Sequence, residues 1–204
     1  MPIIIPKRDP ERGFLRRAFT LVEVLIASTL GSIVLAGVLA AFLFLGRAGV
    51  AVQNYSDMEA QAREAMETFA LDVRMAYDVS WTVSGGEATA VTITVEENGA
   101  EARYTYVYDS AAGTFTRQRS QPTTGDVRVL ISGIKRNPAV DFFTAYKIDT
   151  QRIDFSTTTA TAAANMTKQI QISLEAERLR TTLGAATNKV VSARFVLRNK
   201  KVTT

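Results

Sequence analysis

The fold is decided by the stretch RRAFTLVEVLI at residues 16–26, which opens an apolar run that continues to Leu45. From Leu21 to Leu45 the run carries a single charged residue, Glu23. As an α-helix rising about 1.5 Å per residue, it would be roughly 37 Å long, enough to cross a hydrocarbon core of about 30 Å with some tilt. No other stretch of the chain is as long and as apolar. The sequence therefore predicts one membrane-spanning helix near the N-terminus.

The carboxylate of Glu23 is the unusual feature of this helix. An ionisable side chain in a membrane-length helix costs a few kcal/mol, roughly 3 at the bilayer centre and less near the end. No Lys or Arg follows Glu23 at a spacing of three or four residues, so an ion pair within the helix is not available. We therefore expect its counter-charge to come from outside the helix. The simplest source is the free amino group at the start of another copy or a related chain.

Positive charge is concentrated before the apolar run. The 204-residue chain has a formal net charge of +4, and residues 1–18 contribute five basic and two acidic residues to it. The rest of the chain is nearly neutral, so the basic character is a poor argument for nucleic acid, and no nucleic-acid partner is expected. A second basic group closes the chain and is interpreted as a solvated strand face: Lys189, Arg194, Arg198, Lys200 and Lys201.

The same charges predict the topology of the helix in the membrane. Basic residues precede the apolar run, and only Arg47 follows it closely. Basic residues flanking a membrane span favour the cytoplasmic side, so the N-terminus is expected there and the remainder of the chain on the opposite side.

The chain has neither cysteine nor histidine. This composition excludes a disulfide framework and a thiolate metal site, and it removes the commonest general base. Residues Ser132–Lys135 match the Ser-x-x-Lys pattern of serine acyl-enzymes, but they follow a predicted strand rather than lying on a helix. Asp141, Asp149 and Asp154 are spaced too loosely for a calcium loop. We expect no enzymatic activity, no cofactor and no metal site.

Beyond Arg47 the helical pattern continues but becomes one-sided. Apolar residues recur at steps of three or four, typical of one face of a helix: Val52, Tyr55, Met58, Ala62, Met66, Phe69, Val73 and Tyr77. No proline interrupts the chain from Phe19 to Val79. The pattern predicts one helix of about 60 residues, whose stripe packs against the domain that follows.

From Trp81 the apolar residues recur with a period of two, which indicates β-strands. Asn98-Gly99 predicts a hairpin between the first two long strands. On the second of these strands Tyr104, Tyr106 and Tyr108 alternate, and we interpret them as a packing row. Further strands are predicted at residues 114–119, 126–134, 141–146, 151–155, 168–179 and 189–198, with loops at 156–165 and 181–188.

The predicted fold class is therefore α+β, with one long N-terminal helix packed against an antiparallel β-sheet domain. Four segments are expected: a leader at 1–18, a transmembrane half of the helix at 19–46, an amphipathic half at 47–80 and a β domain at 81–204.

The start of the chain resembles the class III signal of type IV pilins and type II secretion pseudopilins. That signal has a short basic leader, a small residue, then Phe-Thr-Leu-x-Glu and a long apolar helix. The resemblance implies that a prepilin peptidase cuts between Ala18 and Phe19 and methylates the Phe19 amine. It places Glu23 fifth in the mature protein, where the family has its assembly and recognition glutamate. Ala18 stands where the family usually has glycine.

The resemblance also implies a function and a location. It implies a minor pilin-like subunit of a type IV pilus filament, with single-pass insertion in the bacterial inner membrane and a periplasmic C-terminal domain before entry into a pilus or pseudopilus. The implied partners are prepilin peptidase, other pilins or pseudopilins, the inner-membrane assembly platform and inner-membrane lipid. The β domain looks like minor pilins of the PilW type and the J pseudopilin of type II secretion. A J-like pseudopilin at the tip of a secretion pseudopilus and a plain signal-anchored binding domain remain alternatives.

Overall fold

A computed structural model describes residues 19–178 and 187–201 of the chain. The predicted leader at 1–18 and most of the predicted loop at 181–188 lie outside the described residues. The chain divides into two units, Met1–Gly46 and Arg47–Thr204. Helix α1 (Leu21–Met75) contains residues of both units.

In the first unit, every side chain of the described residues 19–46 is exposed. This part of α1 is long and apolar enough to cross a membrane, and none of its most apolar 18-residue stretch is buried. A helix that is apolar all round and uncovered by its own chain requires an apolar environment such as lipid or other helices. The predicted membrane-length helix is therefore present.

In the second unit, α1 buries one face against the sheets. The buried stripe consists of Met58, Ala62, Ala65, Phe69 and Val73. The predicted stripe is too long at both ends. Val52 and Tyr55, at its start, are exposed, and Tyr77, at its end, lies beyond Met75, the last residue of the helix.

The helix stops there because the chain joins a sheet. The Tyr77 backbone N–H donates to the carbonyl of Thr94 (3.0 Å), so the backbone next to it can pair as a strand. The remaining elements follow in chain order: β1 (Asp78–Ser84), β2 (Glu87–Glu97), β3 (Ala100–Asp109), β4 (Thr114–Gln121), β5 (Arg128–Ser132), β6 (Ile134–Lys135), β7 (Phe143–Tyr146), α2 (Ala160–Met166), β8 (Gln169–Arg178) and β9 (Thr187–Val196).

Two antiparallel sheets make up the β part. Strands β1 to β5 form one sheet in chain order, and β8 pairs with β6, β7 and β9 in the other. The hairpin between β2 and β3 turns at Asn98 (φ 53°) and Gly99 (φ 76°), the two positive φ angles that a type I′ turn requires. The predicted α+β fold and the predicted hairpin are confirmed.

The core is centred on Phe69 of α1. Its ring lies 4.9 Å from that of Tyr106 and 5.3 Å from that of Phe195, measured between centroids. Tyr104 and Tyr106 are buried, Tyr106 against α1, and Tyr108 is half-buried, so the tyrosine row of β3 is a packing row, as predicted.

Two predicted segments are wrong. Residues 151–155 form only an isolated bridge, between Tyr146 and Arg152, because the chain turns away and buries Phe155 instead. The segment 156–165 is not the predicted loop throughout, because it contains most of α2. The Thr159 side chain caps this helix by accepting from the Ala162 N–H (3.3 Å), and the helix buries Ala163.

The basic end of the chain is also not a simple solvated face. Lys200 is 5% exposed, and its Nζ lies 2.9 Å from Oδ1 of Asp78 on β1. The side chain therefore ties the C-terminal segment to the first strand.

Candidate processing and assembly site

Helix α1 begins with a reciprocal cap between Thr20 and Glu23. The Glu23 backbone N–H donates to Oγ1 of Thr20 (3.2 Å), and the Thr20 backbone N–H donates to Oε2 of Glu23 (2.9 Å). The Thr20 hydroxyl donates to the same carboxylate oxygen (3.0 Å). This is a capping box, in which the first turn of a helix satisfies N–H groups that have no partner within the helix. The negative charge also suits the positive end of the helix dipole.

The cap occupies one oxygen of the carboxylate. Within the described part of the chain, the hydrogen bonds to the Glu23 side chain all end on Oε2. Its partners are a hydroxyl and an amide, which supply hydrogen bonds but no compensating charge. Glu23 is therefore fixed in orientation, while its charge remains uncompensated within this turn.

Thr20 is a partner of Glu23 that the sequence analysis did not identify, because an ion pair would require a basic residue and Thr20 is neutral. The signal for the cap is nevertheless present, because Thr20-Leu21-Val22-Glu23 fits the Thr-x-x-Glu pattern of a capping box.

Phe19 lies two residues before the first residue of α1 and is 83% exposed. Ala18, the residue expected before the cleaved bond, lies outside the described residues. The structure thus places the two described members of the predicted site, Phe19 and Glu23, at the beginning of α1.

The polar side chains in the apolar half of α1 are satisfied locally. Ser28 donates to the Leu25 carbonyl (3.0 Å), Ser32 donates to the Ser28 carbonyl (2.7 Å), and Thr29 donates to carbonyls of the same turn. Hydroxyls bonded in this way carry little penalty in lipid. Glu23 is the only charged residue from Phe19 to Leu45.

Other chemical groupings suggested by the sequence do not assemble. Ser132 ends β5 in one sheet and Lys135 lies in β6 of the other, with Gly133 (φ 75°) between them, so no helix places the lysine over the serine. Among residues 19–178 and 187–201, no group of three or more Asp or Glu side chains is arranged to hold a metal ion.

Comparison with known proteins identifies the start of the chain. Residues 13–39 match a family model described as the prokaryotic N-terminal methylation motif. No curated protein matches the chain significantly. The matched segment includes Ala18, Phe19 and Glu23 together with the first turns of α1. The chain therefore carries a type IV pilin-like class III signal on a membrane-anchoring helix, which supports a prepilin-processed, structural protein of the pilin or pseudopilin kind.

Proposed function

We propose that this protein is a minor pilin-like subunit of a type IV pilus filament. It is cut by prepilin peptidase between Ala18 and Phe19, and α1 holds it in the inner membrane until assembly. One observation carries the proposal: the methylation motif at residues 13–39 coincides with an exposed apolar half-helix whose single charge, Glu23, lies in its first turn. A compact unit beginning at Arg47 follows, as expected for a subunit with an external domain.

In the proposed mechanism, cleavage creates a cation, which Glu23 lacks among the residues that the structure describes. The freed Phe19 amine remains charged after methylation and pairs with the Glu23 carboxylate of a neighbouring subunit. Both charges are costly in lipid, so their pairing favours assembly and penalises a wrong axial register. The capping box presents the carboxylate in one orientation, with Oε1 directed to no partner in the described chain.

The helices then exchange lipid contacts for contacts with one another. Small residues allow close helix–helix approach in membranes. At Gly31 and Gly37 of α1 an added Cβ would meet nothing within 4 Å. The small residues proposed to permit this approach lie between positions 27 and 37: Ala27, Ser28, Gly31, Ser32, Ala36 and Gly37. The assembly platform and other pilins are the partners in this step.

The first test is the N-terminus of the native protein. Intact mass and N-terminal peptides from membranes should show a chain that starts at N-methylated Phe19. A chain starting at Met1, in cells that contain an active prepilin peptidase, would contradict the proposed processing.

The second test separates the charge of Glu23 from its cap. Glu23→Gln keeps the capping pattern but removes the charge, Glu23→Asp keeps the charge on a shorter arm, and Glu23→Ala removes both. We expect all three to be inserted and cleaved. In sheared filaments, the Asp variant should recover part of the wild-type incorporation, while the Gln and Ala variants should be depleted. Incorporation of Glu23→Gln at the wild-type level would refute the charge pairing.

The pilus assignment has its own test, distinct from the processing test. Deletion of the protein should alter the number or length of pili, and the processed protein should be present in sheared pili. Loss of protein secretion with normal pili would instead identify a J-like pseudopilin.

A further inference from the structure

An open cleft lies in the second unit, where the start of β2, the β3–β4 turn, the segment after β6 and strand β8 meet. It encloses about 720 Å³ of empty space, with solvent at its mouth included. Its lining includes two aromatic and four polar or charged side chains: Tyr108, Phe142, Glu87, Arg136, Asn137 and Glu175.

One wall of the cleft is an immobilised aromatic ring. Tyr108 stacks on Phe142 with ring centroids 4.1 Å apart and planes 7° apart. Phe142 is buried and is itself held by Phe115 (5.1 Å) and Phe143 (4.9 Å). Tyr108 is half-buried, and its hydroxyl has no hydrogen-bond partner among the described residues. The cleft thus contains a fixed ring with an unused polar tip.

Paired polar groups surround this ring. Nη2 of Arg136 donates to both carboxylate oxygens of Glu87 (2.8 and 3.0 Å), and Nδ2 of Asn137 donates to Oε2 of Glu175 (3.2 Å). The Arg136 and Glu87 side chains are about half exposed, so their remaining donor and acceptor positions are open to a ligand.

The carboxylates that line the cleft are each partnered. Glu87 pairs with Arg136, Glu175 accepts from Asn137, and Asp141, the third, pairs with Arg152. A free cation or anion would have to compete with these contacts. A wholly apolar ligand would strip water from the polar rim without replacing its hydrogen bonds. The cleft therefore favours a neutral ligand that has both an apolar face and many hydroxyls.

The walls are also preformed. The Ile134 backbone N–H donates to the Gly113 carbonyl (2.9 Å), and Gly113 (φ 63°) has no room for a Cβ, which would lie 2.8 Å from the Ile134 oxygen. On the other side, Oδ1 of Asn137 accepts from the Ala139 N–H (3.0 Å). A preformed site loses less conformational freedom on binding.

We propose that this cleft binds a neutral saccharide. The apolar C–H face of one sugar ring lies against Tyr108, and adjacent hydroxyls bond to the Arg136–Glu87 and Asn137–Glu175 pairs. The proposal concerns the second unit alone and does not depend on how the protein assembles.

Saturation-transfer NMR on the purified full chain tests it, in micelles of a detergent without a sugar headgroup. The probes are glucose, galactose, N-acetylglucosamine and lactose, with sialic acid and a mixed tripeptide as non-neutral and non-saccharide comparisons. We expect transfer to ring C–H protons of at least one neutral sugar. Tyr108→Ala should weaken its binding by about tenfold. The matched control is Tyr77→Ala, because Tyr77 is an exposed tyrosine whose hydroxyl donates to Glu101 instead.

Arg136→Ala provides a second variant, because this half-exposed side chain contributes little to the core. Its circular dichroism should match the wild type and its sugar signal should fall. Three outcomes would overturn the proposal: no transfer to any neutral sugar, an unchanged signal in both cleft variants, or binding of sialic acid or the tripeptide alone.

Discussion

Thr20 and Glu23 combine a helix cap with the proposed intermolecular pairing in one helical turn. The cap satisfies backbone N–H groups at the start of α1, and it fixes the carboxylate by two hydrogen bonds to Oε2. A carboxylate held in this way does not need to become ordered when a neighbouring amine arrives. Thr20 is thus a positioning residue for Glu23, and cleavage after Ala18 would leave both residues in the mature chain.

Thr20→Val should therefore reduce assembly without preventing insertion. Valine keeps the shape of threonine but removes the hydroxyl that accepts from Glu23 N–H and donates to its carboxylate. Loss of such a cap costs about 1 kcal/mol. The measurement is the ratio of protein in sheared filaments to processed protein in membranes. Thr20→Ser, which retains the hydroxyl, should behave as wild type. A Thr20→Val protein that fills filaments normally would show that the cap has no part in assembly.

A second group of residues joins α1 to the first sheet through buried polar contacts. The Tyr106 hydroxyl donates to Oδ2 of Asp72 (2.5 Å), and Nε of Arg117 donates to the same oxygen (2.8 Å). Asp72 is 5% exposed and Tyr106 is fully buried. Burial, together with the negative charge of Asp72, raises the pKa of Tyr106 well above the ordinary tyrosine value of 10.0.

This shift predicts a weakening of the fold in alkali. The unfolded chain releases the Tyr106 proton near pH 10 while the folded chain retains it, so the free energy of unfolding falls as pH rises above about 10. Tyr106→Phe should lower the free energy of unfolding by about 1–3 kcal/mol at neutral pH, because Asp72 loses a hydrogen-bond donor. Above pH 10, the free energy of unfolding of this variant should fall less steeply than that of the wild type. Urea titrations at neutral and alkaline pH measure both effects. Identical pH slopes for the variant and the wild type would contradict this account.

The C-terminal segment acts as a strap across the second unit. Leu197 is fully buried, Nζ of Lys168 donates to the Lys200 carbonyl (2.6 Å), and the Lys200 side chain reaches Asp78. Nδ2 of Asn199 also donates to the Met75 carbonyl at the end of α1 (3.4 Å). The contacts that follow β9 therefore join the C-terminal segment to the end of α1 and the start of β1.

A chain that ends at Val196 should be markedly less stable than one that ends at Lys201. The shorter chain loses the buried Leu197 and the Lys200–Asp78 pair, and removal of a buried leucine alone costs about 2–5 kcal/mol. Thermal unfolding followed by circular dichroism measures the difference. Equal melting temperatures for the two chains would show that the strap contributes nothing to stability.

The elements that the sequence predicted well have strong local signals. The apolar run from Leu21, the Asn98-Gly99 turn and the alternation in β2 and β3 each depend on residues close together in the chain. The position of Glu23 relative to Phe19 likewise follows from a local motif. Helix α2 was not predicted, although its alanines favour a helix and Thr159 is a typical N-cap residue. Its packing against β1, which is distant in the chain, is not visible in the sequence. The buried state of Lys200 similarly depends on Asp78, which is 122 residues away.

The two units of the protein differ in how much of their apolar surface is buried. Residues 19–46 expose apolar side chains and have no buried core, whereas the core of the second unit begins at Met58 and includes residues up to Leu197. Burial of apolar area is the main stabilising contribution to a soluble domain, and the first unit contributes none of it within this chain. The second unit should therefore fold without the first.

A chain that starts at Ala51 should be soluble, folded and monomeric. It keeps the whole buried stripe of α1 from Met58 onward and strands β1 to β9, and it removes the exposed apolar helix that would otherwise drive aggregation. Size-exclusion chromatography and circular dichroism test this expectation. A matched chain starting at Glu64 provides the control: it lacks Met58 and Ala62, which are each 3% exposed, and should lose several kcal/mol of stability. If the Ala51 chain is unfolded although it retains the stripe, the second unit depends on residues before Ala51, and the division of the protein into two independent units is wrong.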